Sequence, residues 1–308
     1  MRIILQILLF CGIMGTEAHE KENLIFMRYQ SSNGAGLYYG YTATPKADPS
    51  HFESHCHDDY ELLYVRQGNG RYVVEGAEYP LRSHTLILIR PYEYHYVRPD
   101  KNSVYERYVF NFDQDILLDS ATELPFLHGS FGNRHGIYFS EEYLSPLIRE
   151  EFTTIKEVDR LAKNQKSNCK TYGILLQATL TKILLLLSLA TPFDGIKYQE
   201  NMITRVTEYL DQHTAEELSL DKLAQQFFVS KYYLCHAFRQ QNGISVFSYL
   251  TAKRIAMAQQ LMLKGESATS AAYRVGFRNY SSFYRAYLKQ TGQAPIQCKK
   301  TIHKQEQS

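Results

Sequence analysis

The chain has 308 residues, 44% of them hydrophobic and 21% charged, with a formal net charge of +2. These values exclude a wholly disordered polypeptide and leave room for two domains, each with its own core. Five scattered cysteines (Cys11, Cys56, Cys169, Cys235 and Cys298) make no CxxC pair and no zinc-finger spacing, which argues against a disulfide framework and for a reducing, cytoplasmic compartment.

The small net charge hides an asymmetry. Residues 1–200 carry 20 bases and 25 acids, whereas residues 201–308 carry 14 bases and 7 acids. From Lys222 to Ser308 there are 13 bases and two acids, Glu266 and Glu306. Lysine and arginine release counterions when they meet phosphates, so this region is expected to have a polyanionic partner. A merely soluble basic surface is the alternative.

In chain order, residues 1–23 come first. Arg2 precedes an apolar run, Ile3 to Gly15, that has the length of a signal-peptide core, is too short to span a bilayer and is followed by no A-x-A site. It reads as a non-cleaved leader or as a start placed too far upstream, with Met14 or Met27 as the working start. Over residues 24–139, short apolar or alternating runs (Glu61–Val65, Arg71–Val74, Leu86–Ile89, Tyr105–Phe112) are separated by turn residues such as Gly68-Asn69-Gly70 and Glu75-Gly76. That spacing predicts an antiparallel β-sandwich or small barrel.

Over residues 140–190 the period changes. Ser140-Glu141-Glu142 gives a capped acidic start to a helix reaching about Ala162, and a second helix runs from near Lys170 to Leu189 through the apolar stretch Ile183–Leu189. These helices pack either on the barrel or on a second copy of themselves, which would make a homodimer. Thr191-Pro192-Phe193-Asp194-Gly195 breaks the pattern and opens a linker over 191–200.

The region 201–301 reads as helices almost throughout, ahead of a polar tail at 302–308. Ser219 caps an amphipathic helix, and after Phe227-Phe228-Val229, Ser230 caps a second helix from Lys231 to about Gln241. Its exposed face is expected to carry Lys231, Tyr232, Cys235, His236 and Arg239, with Tyr233, Leu234, Ala237 and Phe238 opposite. A spacer helix from Val246 to Leu263 bears Lys253 and Arg254. A second unit then repeats the first, with Ala268–Val275 as its first helix, Gly276-Phe277 as its turn and Tyr280–Gln290 as its second helix. Arg278, Asn279, Tyr280, Ser281, Ser282, Tyr284, Arg285 and Lys289 are the polar groups available there. The two helix-turn-helix units thus occupy about 220–241 and 268–291.

The string Val275-Gly276-Phe277-Arg278-Asn279-Tyr280-Ser281-Ser282-Phe283-Tyr284-Arg285-Ala286-Tyr287-Leu288-Lys289, followed by Gly292 and Pro295, closely resembles the signature of the AraC/XylS transcription regulators. Leu218-Ser219-Leu220, Leu223-Ala224, Ser230, Leu234, Phe238, Gly243, Ser245, Arg254 and Ala258 fit the same family in order and spacing. The resemblance implies that the two second helices enter successive major grooves of double-stranded promoter DNA, with Tyr232, Cys235 and His236 from one unit and Tyr280, Ser281, Ser282, Tyr284 and Arg285 from the other nearest the bases. One departure is Pro295-Ile296-Gln297-Cys298-Lys299, where the family usually has Pro-x-x-Tyr-Arg.

Ahead of this module, His55-Cys56-His57-Asp58-Asp59-Tyr60-Glu61 and Gly68 resemble the first cupin motif, and Pro91 with His95 resembles the second. His84 stands where cupins usually have glycine. His55, His57 and Glu61 share strand parity, so an extended chain would aim all three into the barrel. With His95 they resemble a three-histidine, one-carboxylate metal set, so a divalent metal is one reading and a metal-free ligand pocket another. Candidate ligand contacts are His55, His57, Glu61, Arg66, Tyr92 and His95, and the abundant Tyr and Arg would suit a sugar or sugar acid.

The expected fold is α+β and multidomain: a cupin-like antiparallel β-barrel with two following helices, then an all-α domain with two helix-turn-helix units. The expected function is a ligand-responsive transcription factor for carbohydrate or related small-molecule genes, with no catalysis, no obligatory cofactor, and RNA polymerase as a partner if it activates. The alternatives are a metal-dependent cupin enzyme with a DNA-binding tether and a constitutive DNA-binding protein whose barrel only dimerises.

Overall fold

A computed structural model describes residues 24–31, 35–57, 59–117, 136–164, 169–190, 201–263 and 265–292, together with 124, 294 and 295. The leader at 1–23, the linker at 191–200, the tail at 302–308, Asp58 and most of the segment Pro295–Lys299 lie outside the described residues. The chain divides into two compact units, one ending at Lys197 and the other starting at Tyr198.

The first unit is built of antiparallel strands. Six of them, β1 (Leu24–Gln30), β2 (Gly36–Thr44), β3 (Tyr60–Gln67), β6 (Thr85–Ile89), β8 (Tyr105–Phe112) and β9 (Ile137–Phe139), form one sheet in the order β1-β2-β8-β3-β6-β9. The other three, β4 (Gly70–Val74), β5 (Ala77–Leu81) and β7 (His95–Pro99), form a second sheet in the order β5-β4-β7. Every residue of β8 is buried, Glu106, Arg107 and Asn111 included, because both of its faces are covered. Polar residues therefore do not alternate to solvent along this strand as they would on a half-exposed sheet.

One face packs on two helices, α1 (Pro146–Asn164) and α2 (Cys169–Ser188). Phe152 of α1 stacks on Tyr64 at 3.9 Å, and Leu176, Leu180, Ile183, Leu184 and Leu187 of α2 join Tyr39, Tyr108 and Phe110 in one buried cluster. Within that cluster Asp159 is a buried carboxylate that accepts hydrogen bonds from Tyr39 Oη at 2.7 Å and from Tyr172 Oη, tying β2, α1 and α2 together. Burial, followed by the Asp159 charge and hydrogen bond, pushes the Tyr39 hydroxyl far above its ordinary pKa.

The start of α1 differs from the expectation. Ser140 makes no side-chain cap and precedes only a short 3-10 turn, Glu141–Tyr143. The α-helix opens at Pro146, with Ser145 Oγ accepting from Leu147 N at 3.3 Å. Proline suits a first helical position because its missing N–H would have no helical partner there, so it outweighs the serine-acid pattern upstream.

The second unit is helical: α3 (Met202–Gln212), α4 (Leu220–Gln226), α5 (Lys231–Asn242), α6 (Val246–Leu263), α7 (Ala268–Arg274) and α8 (Tyr280–Thr291). Side-chain caps set the starts of all six. Asn201, Ser219, Ser230, Ser245, Ser267 and Asn279 accept from the backbone N–H of Thr204, Lys222, Tyr233, Ser248, Ser270 and Ser282 respectively. Left-handed Gly243 and Gly292 end α5 and α8. Leu234 and Phe238 of α5 are buried, with Phe238 edge-on to Tyr249 of α6 at 5.7 Å, while Phe283 and Tyr287 of α8 bury against Ile255, Ala258 and Met262 on the same long helix.

The spacer helix is braced by the end of α3 and by the segment that joins it to α4. Arg254 donates to the carbonyl oxygens of Thr214 at 2.8 Å and Glu216 at 2.6 Å. Tyr249 Oη donates to Asp211 at 2.7 Å, and Lys253 lies 3.7 Å from the same carboxylate. Gly276, with φ at +92°, sits so close to this segment that a Cβ would come within 2.5 Å of the Ala215 carbonyl oxygen. Arg278 also pairs with Glu217.

Candidate functional site

The helical unit holds two helix-turn-helix pairs, α4–α5 and α7–α8. On α5, the side chains of Lys231, Tyr232, Cys235, His236 and Arg239 are exposed, and the Tyr232 and His236 rings stack at 6.2 Å. Lys231 is ion-paired to Asp221 at 2.8 Å, and this pairing raises its pKa. Tyr233 is a correction: it is 54% exposed and does not join Leu234 and Phe238 on the inner face. Inward residues repeat every three to four positions along a helix, and Leu234 and Phe238 already fill that stripe, which leaves Tyr233 at its solvent edge.

On α8, Ser281, Tyr284, Arg285 and Lys289 are exposed, while Tyr280 and Ser282 are half-buried. Asn279 spends its side-chain oxygen on Ser282 N at 2.8 Å, and Arg278 is engaged with Glu217. Both second helices thus offer polar side chains outward from apolar inner stripes, the form in which such a helix enters a major groove. Sequence reading missed Phe228. It occupies the first turn at the position Gly276 holds in the second, with φ at +54° and 94% exposure. The only signal was the offset from the helix caps Ser219 and Ser267, which is the same in both units.

In the strand unit, His55, His57, Glu61 and His95 come together, with one ligand atom of each within 4.8 Å of the others. They do not do so along one extended strand. β3 begins only at Tyr60, and His55 instead makes a backbone bridge to His95 of β7, with N–H to O distances of 3.1 and 2.9 Å. Glu61 faces Asn111 across the β3–β8 ladder, and Tyr72 Oη donates to Glu61 Oε1 at 3.2 Å.

Burial, reinforced by His95, drives the His55 pKa down to about 3. Burial works against the Glu61 carboxylate, yet His95 and His57 hold its pKa well below the usual range. His57 is likewise opposed by burial but raised by its hydrogen bond to Glu61 and by that group's charge. Asn111, which no motif pointed to, belongs to the same cluster through His57 and Glu61.

Of the two remaining sequence-chosen candidates, Arg66 lies away from this cluster and Tyr92 borders it through its backbone. Arg66 is offset by an odd number of residues from Glu61 and so faces the opposite side of β3. It pairs with Glu106 at 2.5 Å and, with Gln67, Ser83 and His84, lines a separate surface pocket of about 340 Å³. Tyr92 is half-buried in the loop before β7 with φ at +66°, its N–H donating to the His57 carbonyl at 2.8 Å. His84 adopts φ +61°, the left-handed region that explains a glycine preference there, and its Nδ1 lies 2.8 Å from Tyr64 Oη.

Comparison with known proteins follows this division. A family model described as an AraC-like ligand binding domain matches residues 39–168, and one described as a helix-turn-helix domain matches residues 223–301. The HTH-type transcriptional regulator YbfI of Bacillus subtilis (strain 168) is 26% identical over 231 residues, which is 75% of this chain and 80% of that protein. The HTH-type transcriptional activator RhaS of Enterobacter sp. (strain 638) is 23% identical over 256 residues, covering 82% and 88%. Among solved structures, the C-terminal domain of AraT, a response regulator from Geobacillus stearothermophilus, is 30% identical with a TM-score of 0.32, covering 33% of this chain and 86% of that one. With a ligand-binding strand unit ahead of paired DNA-binding helices, and not an enzyme, the chain belongs to the AraC family of ligand-responsive transcription regulators.

Proposed function

We propose that this regulator is a cytoplasmic homodimeric activator of carbohydrate or related small-molecule genes, whose strand unit takes a polyhydroxylated or carboxylated effector. The observation that carries the reading is the pair of outward polar helices, α5 and α8, in one unit whose bases outnumber its acids. Tyr232, Cys235 and His236 on α5, and Ser281, Tyr284 and Arg285 on α8, contact base edges, while Arg239 and Lys289 meet phosphates. His236 and Cys235 are weaker base readers than the bidentate Arg285, so specificity rests more on α8.

An activating role is supported by the relative named a transcriptional activator, and recruitment of RNA polymerase goes with it. Dimerisation through α2 is supported by its exposed apolar side chains: Ile174 at 47%, Leu175 at 46% and Leu185 at 41%. The effector reading is supported by the buried polar cluster of the strand unit and the match to a ligand binding domain. Footprinting of the full chain on promoter fragments, with and without sugars and sugar acids, tests it. Each protomer should protect two adjacent major-groove segments, with a footprint that shifts on effector addition. Equal affinity for all duplexes, or none at any salt, would overturn the reading.

A further inference from the structure

Three imidazoles and one carboxylate share a small volume between the two sheets, and the backbone dictates how they present themselves. Each ring spends its Nδ1 on a main-chain carbonyl: His55 on Glu53 at 3.0 Å, His57 on Asp59 at 2.9 Å and His95 on Glu93 at 2.8 Å. A carbonyl oxygen only accepts, so each Nδ1 carries a hydrogen, and in each neutral ring Nε2 keeps a lone pair. Asn111 agrees with this, since its Nδ2 donor lies 3.2 Å from His57 Nε2 and 3.1 Å from Glu61 Oε2.

His57 Nε2 and Glu61 Oε2 are themselves 3.1 Å apart, and His95 Nε2 is 3.5 Å from the same oxygen. Acceptors facing one another at that range need a positive centre among them. A single proton serves one imidazole–carboxylate contact. A cation serves all four donors together.

We propose that His55, His57 and His95, through Nε2, and Glu61, through a carboxylate oxygen, bind one divalent transition-metal ion. Donors about 2.1 Å from a shared ion are at most about 4.2 Å apart. The four stand within 4.8 Å, so a closure of a few tenths of an ångström completes the set. Imidazole and carboxylate together favour zinc, nickel, cobalt or iron(II) over magnesium or calcium. The outer contacts are in place as well: three carbonyls fix the ring tautomers, and Tyr72 Oη holds Glu61 Oε1 at 3.2 Å.

The test titrates the purified full chain, stripped with a chelator, with Co²⁺ and then Zn²⁺. The readouts are the visible Co²⁺ absorption, the metal content after gel filtration and the melting midpoint. Saturation at about one ion per chain is expected, together with a raised midpoint and no response to Mg²⁺. Glu61→Gln, which keeps the shape of the side chain, and His57→Ala should each weaken Co²⁺ binding by more than about tenfold.

Absence of stoichiometric binding to the wild-type chain overturns the proposal whether or not either variant folds, and so does unchanged affinity in folded variants. Promoter binding measured on the same samples keeps this separate from the regulatory reading. A chain that grips DNA but no ion defeats only the metal site, and one that holds the ion but no DNA defeats only the regulator.

Discussion

Replacing Phe228 with glycine should stabilise the DNA-binding unit, although it removes a large apolar side chain. At φ +54° a residue with a Cβ pays about 1–2 kcal/mol in local strain. The ring is 94% exposed, so its loss forfeits little burial. Against this, glycine loosens the unfolded chain by about 0.5–1 kcal/mol. The middles of these ranges leave a gain of about 0.75 kcal/mol, or about 3–6 °C in the midpoint of a domain of this size. Calorimetry of the full chain would resolve the transition of the helical unit. Phe228→Ala is the decisive control, because alanine keeps the Cβ and therefore the strain, and its midpoint should stay close to wild type. Equal gains for alanine and glycine, or a fall for glycine, would refute the strain argument.

Gly276→Ala should do the reverse at the matching position. It forces a Cβ within 2.5 Å of the Ala215 carbonyl oxygen at φ +92°, and denaturant midpoints should show a loss of more than about 1 kcal/mol with weakened promoter binding. Arg254→Ala removes two charge-assisted bonds to backbone carbonyls and should cost the same unit about 1.5–3 kcal/mol in urea titration. In the strand unit, Asp159→Asn leaves one of two tyrosine hydroxyls without its acceptor, so its melting transition should fall by an amount equivalent to about 1–3 kcal/mol. The proposed pairing through α2 predicts that Leu175→Glu with Leu185→Glu lowers the sedimenting mass to that of a monomer while leaving the helical unit's melting unchanged. Arg285→Ala should relax base preference at its contact position and lower the salt slope of binding, whereas His236→Ala should change preference less.

Most of the helical unit was legible because its signals are local. Ser219, Ser230 and Gly276 act through their own backbone and nearest turns, so spacing alone finds them. Ser140 misled because capping chemistry without a following helical φ is only a turn, and Pro146 set the start instead. The fold class of the strand unit could be read from its short runs. What could not be read was β8, where Glu106, Arg107 and Asn111 are buried because cover comes from elements distant in sequence. The histidine cluster was visible as a motif, but its assembly runs through the His55–His95 bridge rather than strand parity, and Asn111 enters it only through long-range register. Arg66 was assigned to the pocket by residue type, and counting parity from Glu61 would have removed it.

The hold that Arg254, Gly276 and Arg278 keep on the segment 213–217 makes the two readers one ruler rather than two loosely tethered hands. A duplex turns by about 34–36° with every base pair, so a site lengthened by half a turn would carry its second groove to the far side of the double helix. A tethered pair would follow it. A ruler cannot, and such an operator should bind no better than one with its second half scrambled.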